Sequence, residues 1–313
     1  MLFSTRRFFL RKPCLVVLLL VLLLFDKVNS IDIYPREITY VDSISLNYKS
    51  NFIEGIKSSS DLKWRGLVLE QVTIDSARIA KTLIDRSPFF VSLRSMPQDI
   101  LQLPVTEKKE LFFTVIERLA LFHNEVILGR RERLISLLNS DDNSVFLETM
   151  AVKYSLERVG NKVSSRSDTL RELLTRVDCI PPSLILAQAA IESGWGTSRF
   201  AQEGNNLFGQ RVWGEKLLGM KAKGVSDAKF RLAVYPNVSE SVKSYLRNLN
   251  THPFYESFRA VREAKRNQGQ SILGIDLVGE LGSYSTRGEA YVSDVKNMIE
   301  FNHLSKLDKG ACK

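Results

Sequence analysis

Pro181-Pro182-Ser183-Leu184-Ile185-Leu186-Ala187-Gln188-Ala189-Ala190-Ile191-Glu192-Ser193-Gly194-Trp195-Gly196 is the run from which the rest of the chain takes its meaning. Neither proline supplies a backbone N–H, so the pair suits a helix start and nothing further in. Leu184 to Glu192 are strong helix formers, with Leu184, Ala187, Gln188 and Ile191 on one face by three-and-four spacing. Gly194 and Gly196 offer stop positions where positive φ costs little. The reading is a helix from about Pro181 with one acid, Glu192, in its last turn.

That placement disfavours the ionised carboxylate twice. The C-terminal end of a helix is the negative end of its dipole, and neighbours such as Ala190, Ile191 and Trp195 withhold water. Both effects raise the pKa, and a carboxyl that keeps its proton near neutral pH can act as a general acid, as glycosidic bond cleavage requires. An isolated Glu at a helix end ordinarily turns to water. Here Trp195, the paired glycines and the following Asn205-Asn206-Leu207-Phe208-Gly209 describe a shaped loop.

Ala187 to Ser198, followed by Asn205 to Gly209, closely resembles the signature of glycoside hydrolase family seventy-three, the peptidoglycan N-acetylglucosaminidases of the lysozyme-like superfamily. Over residues 96 to 305 the chain is similar to glucosaminidase-domain proteins of Gram-negative bacteria, with Lys109, Phe112, Phe113, Asn124 and Arg131 in comparable places. The resemblance implies a mainly α (α+β) fold: a lysozyme-like helical domain with a small β-hairpin beside the catalytic helix. The implied activity is cleavage of the β-1,4 bond after N-acetylglucosamine in peptidoglycan, with Glu192 as the acid and no metal or organic cofactor. Leu281-Gly282-Ser283-Tyr284-Ser285-Thr286 and Ala290-Tyr291 resemble the family loop that brings a tyrosine to the cleft, which gives Tyr284 a catalytic role and leaves Tyr291 at the site or in the core.

The hairpin is expected from Gln210-Arg211-Val212-Trp213 and Phe230 to Tyr235, short β-rich runs around a Gly- and Lys-containing stretch. Many members of the family carry a second Glu in this hairpin, and the matching run is absent here. Glu215 and Asp227 are the nearest candidates for a second carboxylate. The alternative is attack by the substrate's own 2-acetamido group, oriented by Tyr284. Trp195, Phe208, Trp213 and Tyr235 are candidate stacking faces for sugar rings; Asn206, Gln210 and Tyr291 complete the candidate substrate-binding set. For each aromatic the core is an equally good destination, and Asn206 suits a brace beneath the loop. A lytic transglycosylase, a non-catalytic peptidoglycan-binding module and a structural envelope protein are the rival functions.

The flanks place this domain in context. Arg6, Arg7, Arg11 and Lys12 precede an unbroken apolar run of 11 residues, Leu15 to Phe25, then Val28-Asn29-Ser30. This reads as a secretory signal, with an uncleaved anchor as the alternative, and predicts export to the periplasm or cell envelope of a Gram-negative bacterium. The whole chain of 313 residues carries a net charge of +9. Its first 30 residues hold five Lys/Arg and one Asp, so the remainder keeps a modest positive excess. That suits an anionic envelope polymer and is too diffuse for nucleic acid. The expected partners are peptidoglycan glycan strands, with the membrane touched only through a retained N-terminal segment.

Residues 31–95 show no clear period. Residues 96–139 read as an accessory helical segment, since Leu111, Phe112, Val115, Ile116, Leu119 and Phe122 recur at helical spacing. The glucosaminidase domain is expected over 140–305, with Asp168 and Ser239 capping two of its helices, and 306–313 reads as a C-terminal tail. Cys179 and Cys312 suit either a disulfide in an oxidising compartment or two unrelated thiols. No Cys/His spacing suggests zinc.

Overall fold

The computed structural model describes residues 37–40, 69–87, 90–140, 145–156, 165–213, 218–221 and 230–313. The expected signal over residues 1–30 and the candidate carboxylates Glu215 and Asp227 lie outside the described residues. Among the described residues no helix is long and apolar enough to cross a membrane. The architecture is mainly α with two small sheets, as expected.

The region left without a fold by its sequence contains a sheet. Strands β1 (Glu37–Tyr40), β2 (Leu69–Val72) and β3 (Phe90–Leu93) lie parallel in that order, with Glu37 opposite Leu69 and Leu69 opposite Phe90. Parallel strands need a crossover, and α1 (Ala77–Arg86) provides it between β2 and β3. Its first N–H is met from outside: both oxygens of Asp99 accept from the Ala77 N–H, at 2.8 and 3.1 Å. Strands of four residues are too short to show a period, which is why this sheet was not legible.

Helix α2 (Val105–Ser136), with Pro104 at its cap position, carries the predicted stripe into the core. Its two buried polar side chains act as ties. The Asn124 amide accepts from the Ile180 N–H at 3.1 Å and donates to the Ile180 carbonyl at 2.7 Å, copying a strand partner, and His123 Nε2 meets Ser239 Oγ at 2.8 Å. One apolar core runs from Val72 to Cys312, without a break at the boundary expected between 139 and 140.

Helices α3 (Val145–Lys153) and α4 (Arg166–Arg176) lead to α5 (Pro182–Ser193). The cap of α4 is Ser165, whose Oγ accepts from the Asp168 N–H at 3.1 Å; Asp168 sits inside the first turn. Every residue of α5 from Pro182 to Ala190 is buried, so the helix is sheathed on all sides and not on one face alone. After α6 (Arg199–Gly204) come β4 (Arg211–Trp213), β5 (Gly219–Met220) and β6 (Phe230–Ala233), antiparallel in the order β4-β6-β5. The expected hairpin is β4 with β6; β5, two residues long, gave no signal.

Helix α7 (Val238–Thr251) is capped by Asn237, whose Oδ1 accepts from the Glu240 N–H at 2.9 Å, and Ser239 is occupied with His123 instead. Helices α8 (Glu256–Asn267), α9 (Gly274–Leu277) and α10 (Glu289–Phe301) close the fold.

Residues 306–313 are a strap and not a loose tail. Cys312 is disulfide-bonded to Cys179, their Cα atoms 5.7 Å apart. Asp308 is buried and accepts from the Ser183 N–H at 2.9 Å, the Ser183 hydroxyl at 2.6 Å and the Gly274 N–H at 2.9 Å. A carboxylate at the first turn of α5 satisfies an orphan N–H and complements the helix dipole. Beside the disulfide, burial pushes the Asp178 carboxyl up, but Arg262, Arg266 and Arg131 outweigh it and hold it below the ordinary value.

Candidate active site

The site begins where α5 stops. Gly194 is left-handed at φ 58°, the capping position for which glycine is preferred. The turn continues in that region through Trp195 at φ 61° and Gly196 at φ 75°. A tryptophan there carries strain of about 1–2 kcal/mol, and its neighbours hold it. The Trp195 N–H donates to the Ala190 carbonyl at 3.0 Å, and Ser193 Oγ accepts from the Gly196 N–H at 2.8 Å. The indole docks edge-on against Phe113 and Phe112, centroids 5.0 and 6.0 Å away, beneath the Lys109 ammonium at 4.7 Å. Trp195 thus anchors the turn to α2.

The loop after α6 returns to Glu192 because Asn206 shapes it. Asn206 Oδ1 accepts from the Gln210 N–H at 3.1 Å, while Nδ2 donates to the carbonyls of Gln210 at 2.8 Å and Ala233 at 3.0 Å. This buried amide ties loop to β6, as a brace and not as a substrate contact. Gly209, at φ 64°, lies so close that a Cβ there would sit 3.0 Å from Glu192 Oε2. Only glycine brings the backbone against the acid.

Tyrosines form the other wall. Tyr291 stands beside Glu192 and accepts from Gln188 Nε2 at 2.8 Å. Tyr284 lies parallel over Tyr291 at 5.5 Å and donates its hydroxyl to the Phe208 carbonyl at 2.8 Å. Burial pushes the Glu192 carboxyl above its ordinary value, against the Tyr291 hydroxyl and the positive charges of Arg211 and Arg287, which pull it down. The upward shift expected from the sequence has desolvation as its main cause.

Several expected sugar contacts are corrected by burial. Phe208 is 1 % exposed and stacked on Tyr245 with centroids 4.1 Å apart, so its ring is core. Tyr291 is 2 % exposed and has no open face for a substrate. Tyr235 donates to Gln210 Oε1 at 2.5 Å and meets the Ser244 hydroxyl at 3.0 Å, so these two polar groups are engaged with each other. Trp213 is 62 % exposed on β4, opposite Phe230, whose ring lies 4.1 Å from the Arg211 guanidinium.

The sequence reading missed Gln188, Tyr245, Arg211 and Arg287 as neighbours of the acid. A signal existed for Gln188: it is the single amide in an apolar run and stands four residues before Glu192, and a buried amide must have partners.

A helical body with a shielded acid at a helix end, a braced loop and a tyrosine wall defines a glycosidase-like site. Comparison with known proteins agrees. Residues 167–304 match the family model described as glucosaminidase, mannosyl-glycoprotein endo-beta-N-acetylglucosaminidase. The chain belongs to the glucosaminidase family, glycoside hydrolases acting on peptidoglycan. Among particular proteins it is similar to Protein bax of Escherichia coli (strain K12), 35% identical over 203 residues that make up 63% of this chain and 70% of that protein. Among solved structures, the catalytic domain of the autolysin Auto from Listeria monocytogenes is 23% identical, with a TM-score of 0.32 over 56% of this chain and 95% of that one.

Proposed function

We propose that this chain cleaves the β-1,4 glycosidic bond after N-acetylglucosamine in peptidoglycan, with Glu192 as the general acid. The observation that carries the reading is a half-buried carboxyl at the end of an apolar helix, its pKa raised by burial and its position fixed by Tyr291 and Gly209. Such a group keeps its proton to higher pH than an ordinary carboxyl and gives it to the leaving oxygen as the C–O bond breaks and an oxocarbenium-like centre develops. Trp213, solvent-facing on β4, supplies a stacking face for a sugar ring.

The hairpin lacks the run in which many members of the family carry a second Glu. This favours attack by the substrate's acetamido carbonyl oxygen on the anomeric carbon, with water opening the resulting ring. Tyr284 donates its proton to Phe208, so its remaining lone pair is what it offers to the acetamido N–H. The other route uses Glu215 or Asp227 to guide water. A Glu215→Gln, Asp227→Asn double variant with undiminished turnover supports substrate assistance, and a collapse on either single change refutes it. The N-terminal segment directs the chain to the periplasm or cell envelope, where the glycan strands are.

The deciding experiment is mass spectrometry of fragments released from purified peptidoglycan by the wild-type chain and by Glu192→Gln. Reducing N-acetylglucosamine ends that vanish in the variant establish the bond and the acid. Anhydro-muramic ends move the protein to the lytic transglycosylases, and release by neither protein favours a binding role.

A further inference from the structure

Gln188 is 0 % exposed and stands one turn before Glu192 on the same helix face. Its amide stands between tyrosines of two other helices. Tyr245 of α7 donates its hydroxyl proton to Gln188 Oε1 at 2.5 Å, and Gln188 Nε2 donates to the Tyr291 hydroxyl oxygen of α10 at 2.8 Å. Tyr291 in turn stands beside Glu192, on whose carboxyl it acts in the sense of a donor, pulling its pKa down.

The chemistry of these groups imposes a direction. An amide oxygen only accepts, an amide nitrogen only donates, and a phenol has one proton to give. Tyr245 occupies Oε1, which leaves the nitrogen facing Tyr291. Because Tyr291 accepts that N–H, its single proton is free for Glu192. A reversed amide would present Oε1 to Tyr291 and draw the proton away from the acid.

We propose that Tyr245, Gln188 and Tyr291 form a one-way hydrogen-bond relay that keeps a donated proton against one oxygen of Glu192 and so places the acid's own proton on the other, towards the cleft. Gln188 and Tyr245 are then positioning residues, and the role rests on the reading of Glu192 as the acid. A donor that is itself accepting a hydrogen bond is strengthened, so the whole chain, not Tyr291 alone, sets how firmly the carboxylate is held. The other groups facing Glu192 are Arg211 of β4 and Arg287 before α10, which favour the carboxylate, with Tyr255 and Tyr284 across the site. Tyr245, Gln188 and Tyr291 join α7, α5 and α10, so the relay also makes the acid sensitive to how these helices pack.

The test is a 13C carboxyl NMR titration of Glu192, assigned with Glu192→Gln, in the wild-type chain and in Tyr291→Phe, Tyr245→Phe and Gln188→Met. Tyr245→Phe keeps the ring stacked on Phe208 and removes only the hydroxyl that orients the amide. Losing a donor to a carboxylate raises its pKa, so the midpoint should rise by about one pH unit in Tyr291→Phe. It should also rise, by less, in Tyr245→Phe, although that hydroxyl is bonded to Gln188 and not to Glu192. The alkaline limb of kcat/KM should move up with the midpoint in each, a shift that a merely structural role would not produce. A midpoint that moves in Tyr291→Phe but stays in place in Tyr245→Phe overturns the relay. Gln188→Met applies the same criterion if Tyr245→Phe does not fold. Hydrolysis that survives Glu192→Gln, with the titration shifts intact, overturns the assignment of the acid instead, so the two failures show in different measurements.

Discussion

Replacing Cys312 by Ser opens a covalent loop spanning a sequence separation of 133. In the chain-entropy relation a loop of that length removes about 17 cal/mol/K from the unfolded chain, about 5 kcal/mol at 25 °C, while disulfides in practice deliver about 2–4 kcal/mol. The strap keeps non-covalent ties in the variant: Arg266 donates to both Asp178 oxygens at 2.6 Å and to the Cys312 carbonyl at 3.0 Å, and Asp308 holds Ser183. The native state therefore persists, with its melting temperature lowered. For a folded body of this size each kcal/mol moves Tm by about 2–4 °C, which puts the fall at roughly 5–15 °C. The assay is thermal unfolding by circular dichroism, with and without a dithiol reductant. Reduced wild-type protein should melt with Cys312→Ser, and the reductant should leave the variant where it was. A variant that melts with the oxidised wild type refutes the reasoning, as does a reductant that lowers both equally.

Glu192→Gln should stabilise the protein while abolishing hydrolysis. The raised carboxyl binds a proton more tightly folded than unfolded, so the wild type loses stability as pH rises from the ordinary value of 4.5 through the folded value. The Tm gain of the variant should grow over that range and vanish below it; a constant gain would show that ionisation is not its cause. Trp213→Ala should change stability by no more than about 0.5 kcal/mol, since the ring is exposed, yet raise KM several-fold with kcat little altered; an unchanged KM removes Trp213 from the site. Gly209→Ala forces a Cβ to within 3.0 Å of Glu192 Oε2 at a φ of 64°, costing about 1–2 kcal/mol in backbone strain. It should lower Tm by a few degrees and displace the acid, and full activity would contradict the close approach.

The helix carrying Glu192, its proline start and its glycine stop were legible because each is a local rule: missing N–H groups, helical spacing, positive φ at no steric cost. Trp195 and Asn206 were singled out by residue type, but their tasks, docking the turn on α2 and bracing the loop to β6, depend on partners far along the chain. The caps of α4 and α7 were misplaced within three residues, since Ser165 and Asn237 compete with Asp168 and Ser239 for the same role and only geometry chooses between them. Phe208 reads identically as a sugar platform and as core. Its stack on Tyr245 makes it core.

By itself the sequence determined that an acid would stand at the end of an apolar helix, followed by a shaped loop, in a mainly helical body. Those features come from interactions within a few residues. Tertiary structure alone decided that α5 is sheathed on every side, that Cys312 and Asp308 return to its start, and that Gln188 faces Tyr245 and Tyr291. The direction of a buried hydrogen bond, like the pairing of two thiols, is set by which distant groups the fold brings within about 3 Å, and no local pattern encodes that.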